Sequence, residues 1–207
     1  MTGAGSPARP RRYAGPMFNP RGSITVITGP MFSGKTAELI RQCERARIAR
    51  RKVVLIRPAL DDRTEPETVR SRFGVAFPAR PVPDSAGIEP VVAETRADVV
   101  AIEEGQFFDH GLVDVCERLA DRDRVVIVDG LNRDFLGRPF GPMPDLLAIA
   151  EDVVMLSAIC MVCGEEATRT QRLVDGRPAS ASDPLVVIGG IGDERYEARC
   201  RTHHQIG

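Results

Sequence analysis

Three groups of residues could do chemistry by their types and spacing. Gly29-Pro30-Met31-Phe32-Ser33-Gly34-Lys35-Thr36 fits the pattern G-x-x-x-x-G-K-S/T. Glycines let a backbone wrap a phosphate, and a following helix N-terminus offers N–H donors and positive dipole. Lys35 can reach β- and γ-phosphates, and the Thr36 hydroxyl can ligate Mg²⁺. Multiplying this chain's own Gly, Lys and Ser/Thr frequencies gives a chance match on the order of one in a thousand. Of the 28 basic side chains only Lys35 and Lys52 are lysines, so the lysine of the loop stands out against an arginine background. The second group is Glu103-Glu104, followed by Gly105-Gln106-Phe107-Phe108. Adjacent carboxylates at a strand end point in different directions, so one can face a metal and the other an acceptor. The third is Cys160-Met161-Val162-Cys163 with Cys200-Arg201-Thr202-His203. Three thiolates and one imidazole make a closed tetrahedral Zn²⁺ site, structural rather than catalytic. His204 is an alternative fourth ligand, whereas Cys43 and Cys116 stand alone in helix-like sequence and read as helix-core residues.

These groups need elements to hold them. The run 23–28 predicts a strand that ends at the glycine-rich loop, and 34–50 predicts a helix with Ala37, Leu39, Ile40, Cys43, Ala46 and Ile48 mostly on one side. Val53–Ile56, Val99–Ile102, Val125–Val128 and Val153–Leu156 are short apolar runs of the kind buried in parallel sheets. Helices are expected near 88–96 and over 111–121. Strands alternating with amphipathic helices imply an α/β fold with a mostly parallel sheet, whose ligands bind at the carboxyl ends of the strands. After Ser157 the pattern changes: no long helix fits, and 175–184 reads as a flexible loop. The expected organisation is a Pro-, Gly- and Arg-rich disordered tail over 1–22, a phosphate-loop α/β domain over 23–157 and a small metal-binding domain over 158–207.

Composition narrows the classes. The chain of 207 residues has a formal net charge of -1, from 28 basic and 29 acidic residues, so no overall basic excess points to nucleic acid. A zinc-ribbon nucleic-acid binder would want a basic surface near its knuckles, but Glu165, Glu166, Asp193 and Glu194 are interspersed with the arginines there. No apolar run approaches the ~18 residues of a membrane span. The N-terminus lacks the apolar core of an export signal, so a reducing, cytoplasmic setting is expected.

In order and rough spacing, GPMFSGKT at 29–36, DDR at 61–63, EEGQFF at 103–108, GLNRDFLGRPFG at 130–141, CMVC at 160–163, VVIGG at 186–190, Tyr196 and CRTH at 200–203 resemble the zinc-containing, cytosolic-type thymidine kinases. The resemblance covers about 24–204. It implies a P-loop NTPase-like core with a zinc-bearing lasso domain, usually a homotetramer, that uses Mg-ATP to phosphorylate thymidine at its 5′-hydroxyl to dTMP, with deoxyuridine as a second substrate and dTTP as feedback inhibitor. Glu104 would be the catalytic base. Residues 29–36, together with Asp61, Asp62, Arg63, Glu103, Glu104, Gly105 and Gln106, would form the ATP and Mg²⁺ site. Met31, Phe107, Leu131, Phe135 and Tyr196 would pack around the nucleoside. The backbone of Leu185, Val186, Val187, Ile188 and Gly189 would read its base. Cys160, Cys163, Cys200 and His203 would hold the zinc. The family usually has Asp where this chain has Glu103; the charge is kept on a side chain one methylene longer, and retained activity is expected.

Overall fold

The computed structural model describes residues 22–59, 68–70, 76–185 and 194–207. Residues 1–21 of the tail, Asp61, Asp62 and Arg63, and Val186, Val187, Ile188 and Gly189 lie outside the described residues.

The described chain opens with β1 (Ser23–Thr28), α1 (Lys35–Ile48), β2 (Val53–Pro58), then β3 (Thr68–Arg70) paired antiparallel with β4 (Ala76–Pro78), β5 (Arg80–Val82), α2 (Ile88–Thr95), β6 (Val99–Ile102) and α3 (Gly111–Asp121). They are followed by β7 (Val125–Gly130), α4 (Met143–Ile149) and β8 (Asp152–Met155). Six strands form one sheet in the order β5-β2-β6-β7-β1-β8, and every neighbouring pair is parallel.

The apolar runs have a direct cause. Every residue of β6 and β7 is buried. Alternate side chains of a strand face opposite sides of the sheet, so a sheet covered on both faces needs both sets apolar. Val100, Ile102, Val126 and Val128 pack with Leu112, Val115 and Leu119 of α3 and with Met143 and Leu146 of α4. Their neighbours Val99, Ala101, Val125 and Ile127 pack on the opposite face with Leu39, Ile40, Cys43 and Ala46 of α1.

The structure departs from the sequence reading in several places. Ile48 is 81% exposed rather than on the buried side of α1. It follows buried Ala46 by two residues, about 200° around a helix, which turns it outward. The run at 153–156 is a sheet edge, not a buried strand: Val153 is 40% and Met155 62% exposed. Helix α4 was not expected, because Pro142 and Pro144 make its sequence read as a loop; prolines are tolerated in a first helical turn, where the N–H has no partner. Strand β5 was also unexpected, and Pro81 is tolerated there because the strand lies on the sheet edge.

Beyond β8 the strands are short: β9 (Ala158–Ile159) pairs with β10 (Glu166–Ala167), and β11 (Arg169–Val174) lies between β12 (Arg177–Pro178) and β13 (Glu194–Arg199). The start of the loop expected over 175–184 is a hairpin. Asp175 and Gly176 have φ of 50° and 74° between β11 and β12, the geometry of a two-residue Asp-Gly turn. The rest is pinned locally, with the Ser180 N–H donating to Asp183 Oδ2 at 2.9 Å. No helix among the described residues is long and apolar enough to cross a membrane.

Candidate active site

Three adjacent strands, β6, β7 and β1, end side by side, and each delivers part of a site at its carboxyl end. β1 runs into the 29–34 loop, which ends at Gly34 with φ 90°, and α1 begins at Lys35. That φ is in a region L residues rarely adopt, so glycine is needed there for conformation; a Cβ would meet no atom within 4 Å. Gly34 also has no side-chain oxygen with which to occupy the first-turn N–H groups of α1. Pro30 O is a local hub, accepting from Ser33 Oγ at 2.8 Å and from Lys35 Nζ at 3.1 Å. Gly29 is sterically required as well, because a Cβ would come within 2.3 Å of Leu156 O. Phe32, at the tip of the loop, is 40% exposed.

β6 supplies the acids. Thr36 Oγ1 donates to Glu103 Oε1 at 3.3 Å, so the last residue of the loop motif touches the first carboxylate of the pair. Burial pushes the Glu103 carboxyl up to about 8; negative Asp129 and Glu104 push the same way, and the Thr36 hydroxyl and Arg57 oppose them. A divalent cation beside Thr36 and Glu103 would relieve this, which makes the pair a fitting Mg²⁺ holder.

Glu104 diverges from its neighbour because its backbone turns left-handed, with φ 53° and ψ 45°. Its N–H donates to Asp129 Oδ1 at 2.9 Å, and Oε2 accepts from Gln106 Nε2. Gln106 is itself buried and takes the Leu131 N–H on Oε1 at 2.9 Å. Gly105 and Gln106 therefore form the short turn under Glu104, and Gln106 grips the carboxylate. Burial raises the Asp129 carboxyl above its ordinary value, reinforced by the charge of Glu104.

One cavity of about 260 Å³ joins these parts. Lys35 and Glu104 line it together with Met31, Phe107, Leu131, Phe135, Leu185 and Tyr196, all of them expected at the nucleoside. Asp134, Phe140 and Thr170 line it too and were not expected. Phe140 stands edge-on to Phe107, with ring centroids 5.7 Å apart, and lies within the 130–141 motif, which could have pointed to it. Thr170 had no sequence signal; it is buried in β11 and accepts the Met31 N–H at 3.0 Å, tying the phosphate loop to the second region. Beneath the Phe135 ring lies the buried Arg172 guanidinium, 5.1 Å from the centroid.

Cys160, Cys163, Cys200 and His203 converge, with all their donor atoms within 4.8 Å of one another. Cys163 Sγ lies 3.9 Å from Cys200 Sγ, and His203 Nδ1 lies 3.2 Å and 3.7 Å from Cys200 Sγ and Cys160 Sγ. Bonds of about 2.3 Å to sulfur and about 2.0 Å to nitrogen require edges of this size around a tetrahedral ion, so the donor set fits structural zinc. Burial opposes ionisation of Cys160, but backbone N–H groups of Cys200, Cys163 and Val162 outweigh it and hold the thiol low. His204 is directed elsewhere, with Nε2 2.8 Å from Phe135 O. Cys43 and Cys116 are buried thiols pushed up to about 12 by desolvation, core residues rather than ligands.

The phosphate loop, the paired acids, the cavity between them and the Cys/His cluster all fall within residues 22–204, the span matched by the family model for thymidine kinase, so the chain belongs to the thymidine kinase family and phosphorylates thymidine.

Proposed function

We propose that the phosphoryl donor is ATP and that its γ-phosphoryl group passes to the 5′-hydroxyl of thymidine, or of deoxyuridine, with Glu104 as general base. The observation that carries this reading is the shared cavity: Glu104 and Lys35 line the same space as Met31, Phe135 and Tyr196. A nucleoside seated among the apolar residues presents its sugar toward the loop that takes phosphates. Lys35, parked on Pro30 O, swings to the β- and γ-phosphates, while the first-turn N–H groups of α1 take their oxygens. Thr36 and Glu103 would hold Mg²⁺, which supplies charge neutralisation at the phosphoryl oxygens when bound. Glu104 accepts the proton of the 5′-hydroxyl as it attacks in line, a contribution typically worth ~10²–10⁴-fold.

The zinc cluster has no open position, and its role is to pin both ends of the 160–203 segment that carries Thr170, Leu185 and Tyr196. Deoxyuridine differs from thymidine by one methyl group, worth only ~1 kcal/mol on burial, so it is a second substrate. Feedback by dTTP, a homotetramer and a cytoplasmic location complete the reading. The deciding experiment offers Mg-ATP with each of thymidine, deoxyuridine, deoxycytidine, deoxyadenosine and deoxyguanosine. Monophosphates of thymidine and deoxyuridine alone are expected. Equal turnover of a purine nucleoside, or hydrolysis of ATP without transfer, would overturn the assignment.

A further inference from the structure

Among the described residues, Asp129 is the one carboxylate at the carboxyl ends of the sheet strands to which the proposed reaction gives no role. It sits near the end of β7, the strand between the one that carries Glu103 and Glu104 and the one that leads into the phosphate loop. Only 1% of it is exposed, which puts it beyond direct contact with a nucleoside in the cavity. Oδ1 accepts the Glu104 N–H at 2.9 Å, and Oδ2 is buried with no partner among the described residues. A buried carboxyl group held by one hydrogen bond is an unfavourable arrangement for stability alone, since its other oxygen has lost water without gaining a partner.

The conformation of Glu104 gives that hydrogen bond a purpose. A glutamate at φ 53° and ψ 45° occupies a region that L residues rarely adopt outside a constraint. The chain needs this turn to lift Glu104 out of the direction of Glu103 and into the cavity. The buried Asp129 oxygen accepts this N–H and holds it in one place. Gln106 steadies the other end, gripping Oε2 while braced on the Leu131 N–H just beyond β7.

We infer that Asp129 is a positioning residue for phosphoryl transfer: by accepting the Glu104 N–H it locks the left-handed turn that aims the Glu104 carboxylate at the acceptor hydroxyl. The inference rests on Glu104 being the base. Misplacement of a reacting group by about 1 Å costs on the order of 10²-fold. Asp129→Ala should therefore lower kcat by roughly 10–100-fold, with the KM for thymidine and the affinity for ATP within about threefold of the parent. Asp129→Asn keeps an oxygen for the Glu104 N–H and should recover kcat to within about fivefold of the parent.

The test is steady-state kinetics on the full zinc-loaded protein, with rates normalised to the folded fraction from thermal melts. The parent, Asp129→Ala, Asp129→Asn, Glu104→Gln and the Glu104→Gln/Asp129→Ala pair are compared. If Asp129 acts through Glu104, the alanine change costs little once the base is gone, and the double variant has the kcat of Glu104→Gln. A multiplicative loss in the double variant, an Asn variant as slow as the Ala variant, or an Ala variant with normal kcat per folded molecule would overturn the inference. Glu104→Gln with normal kcat would instead remove the base itself, so the two failures are distinguishable.

Discussion

Strands β7 and β11 are each six residues long, and each is paired on both sides, yet they are built on opposite plans. β7 begins Val-Val-Ile-Val and is buried throughout, packed by helices on both faces. β11 buries Thr170, Gln171 and Arg172 instead. Each of these polar side chains holds a different piece. Thr170 takes the Met31 N–H, Gln171 exchanges hydrogen bonds with the backbone of Gln205, and Arg172 donates to Pro184 O. The apolar cluster beside the metal knuckles is only Ala158, Cys160, Ala167 and Ala198, with Cys200 packed against it. Such small side chains release little free energy on burial, so the second region depends on directed bonds and on metal. The lesson is a division of labour. A sheet buried on both faces carries Glu103 and Glu104 at a strand end, and a polar region lines part of the same cavity with Thr170, Leu185 and Tyr196.

Five changes would break or sharpen this contrast. The largest effect belongs to the sheet end: Glu104→Gln keeps the shape of the side chain and should cut kcat by ~10²–10⁴-fold, while equilibrium binding of ATP stays unchanged. A near-normal kcat in single-turnover assays would exclude Glu104 as base. Stripping the Cys/His cluster, by a zinc chelator or by Cys200→Ser, should abolish thymidine turnover and expose the second region to protease. The thermal transition of the six-stranded sheet should survive, and a single transition lost as a whole would show that the two regions do not differ as described.

Within the rigid layer, Ile127→Ala opens a cavity at a fully buried site and should cost ~2–5 kcal/mol in urea unfolding. Its counterpart in β11, Thr170→Val, keeps the volume but leaves the Met31 N–H without its acceptor. That should cost about 1 kcal/mol and appear as a higher thymidine KM rather than a lower global stability. The last effect is one of pH. The Glu103 carboxyl is raised from 4.5 to about 8 in the folded chain, so the folded state keeps a proton that the unfolded state has lost. Its contribution is fully present below pH 4.5 and lost as pH rises through 8. Without nucleotide or Mg²⁺, Glu103→Gln should therefore melt above the parent at pH 8.5 and alongside it near pH 4.5; equal Tm values at both would discard the assigned burial of Glu103.

Much of this was legible because two physical rules leave strong traces in sequence. Sheets covered on both faces force uninterrupted apolar runs, and Val99–Ile102 and Val125–Val128 display them. Phosphate and zinc chemistry demands fixed local spacing, so Gly29–Thr36 and the two knuckles are visible without any fold. The illegible parts lack local traces. Pro142 and Pro144 hid α4, the three-residue β5 was too short to show a period, and nothing in Arg169–Val174 announced Thr170 as a cavity wall. Asp129 could be seen only as a strand terminus.

By itself, then, the sequence determined the chemistry available: a lysine and a threonine on a phosphate loop, two carboxylates at a strand end, and four metal donors in two knuckles. These are short-range patterns, set by the reach of a few bonds. Tertiary structure alone decided which groups meet. Parallel order placed β7 between β1 and β6, and only that order puts Asp129 on the Glu104 N–H and Thr36 on Glu103. It also brought Thr170 to Met31 across 139 residues and turned His204, rather than His203, toward Phe135. Contacts of such separation follow from how faces pack and strands order, and no local spacing encodes them.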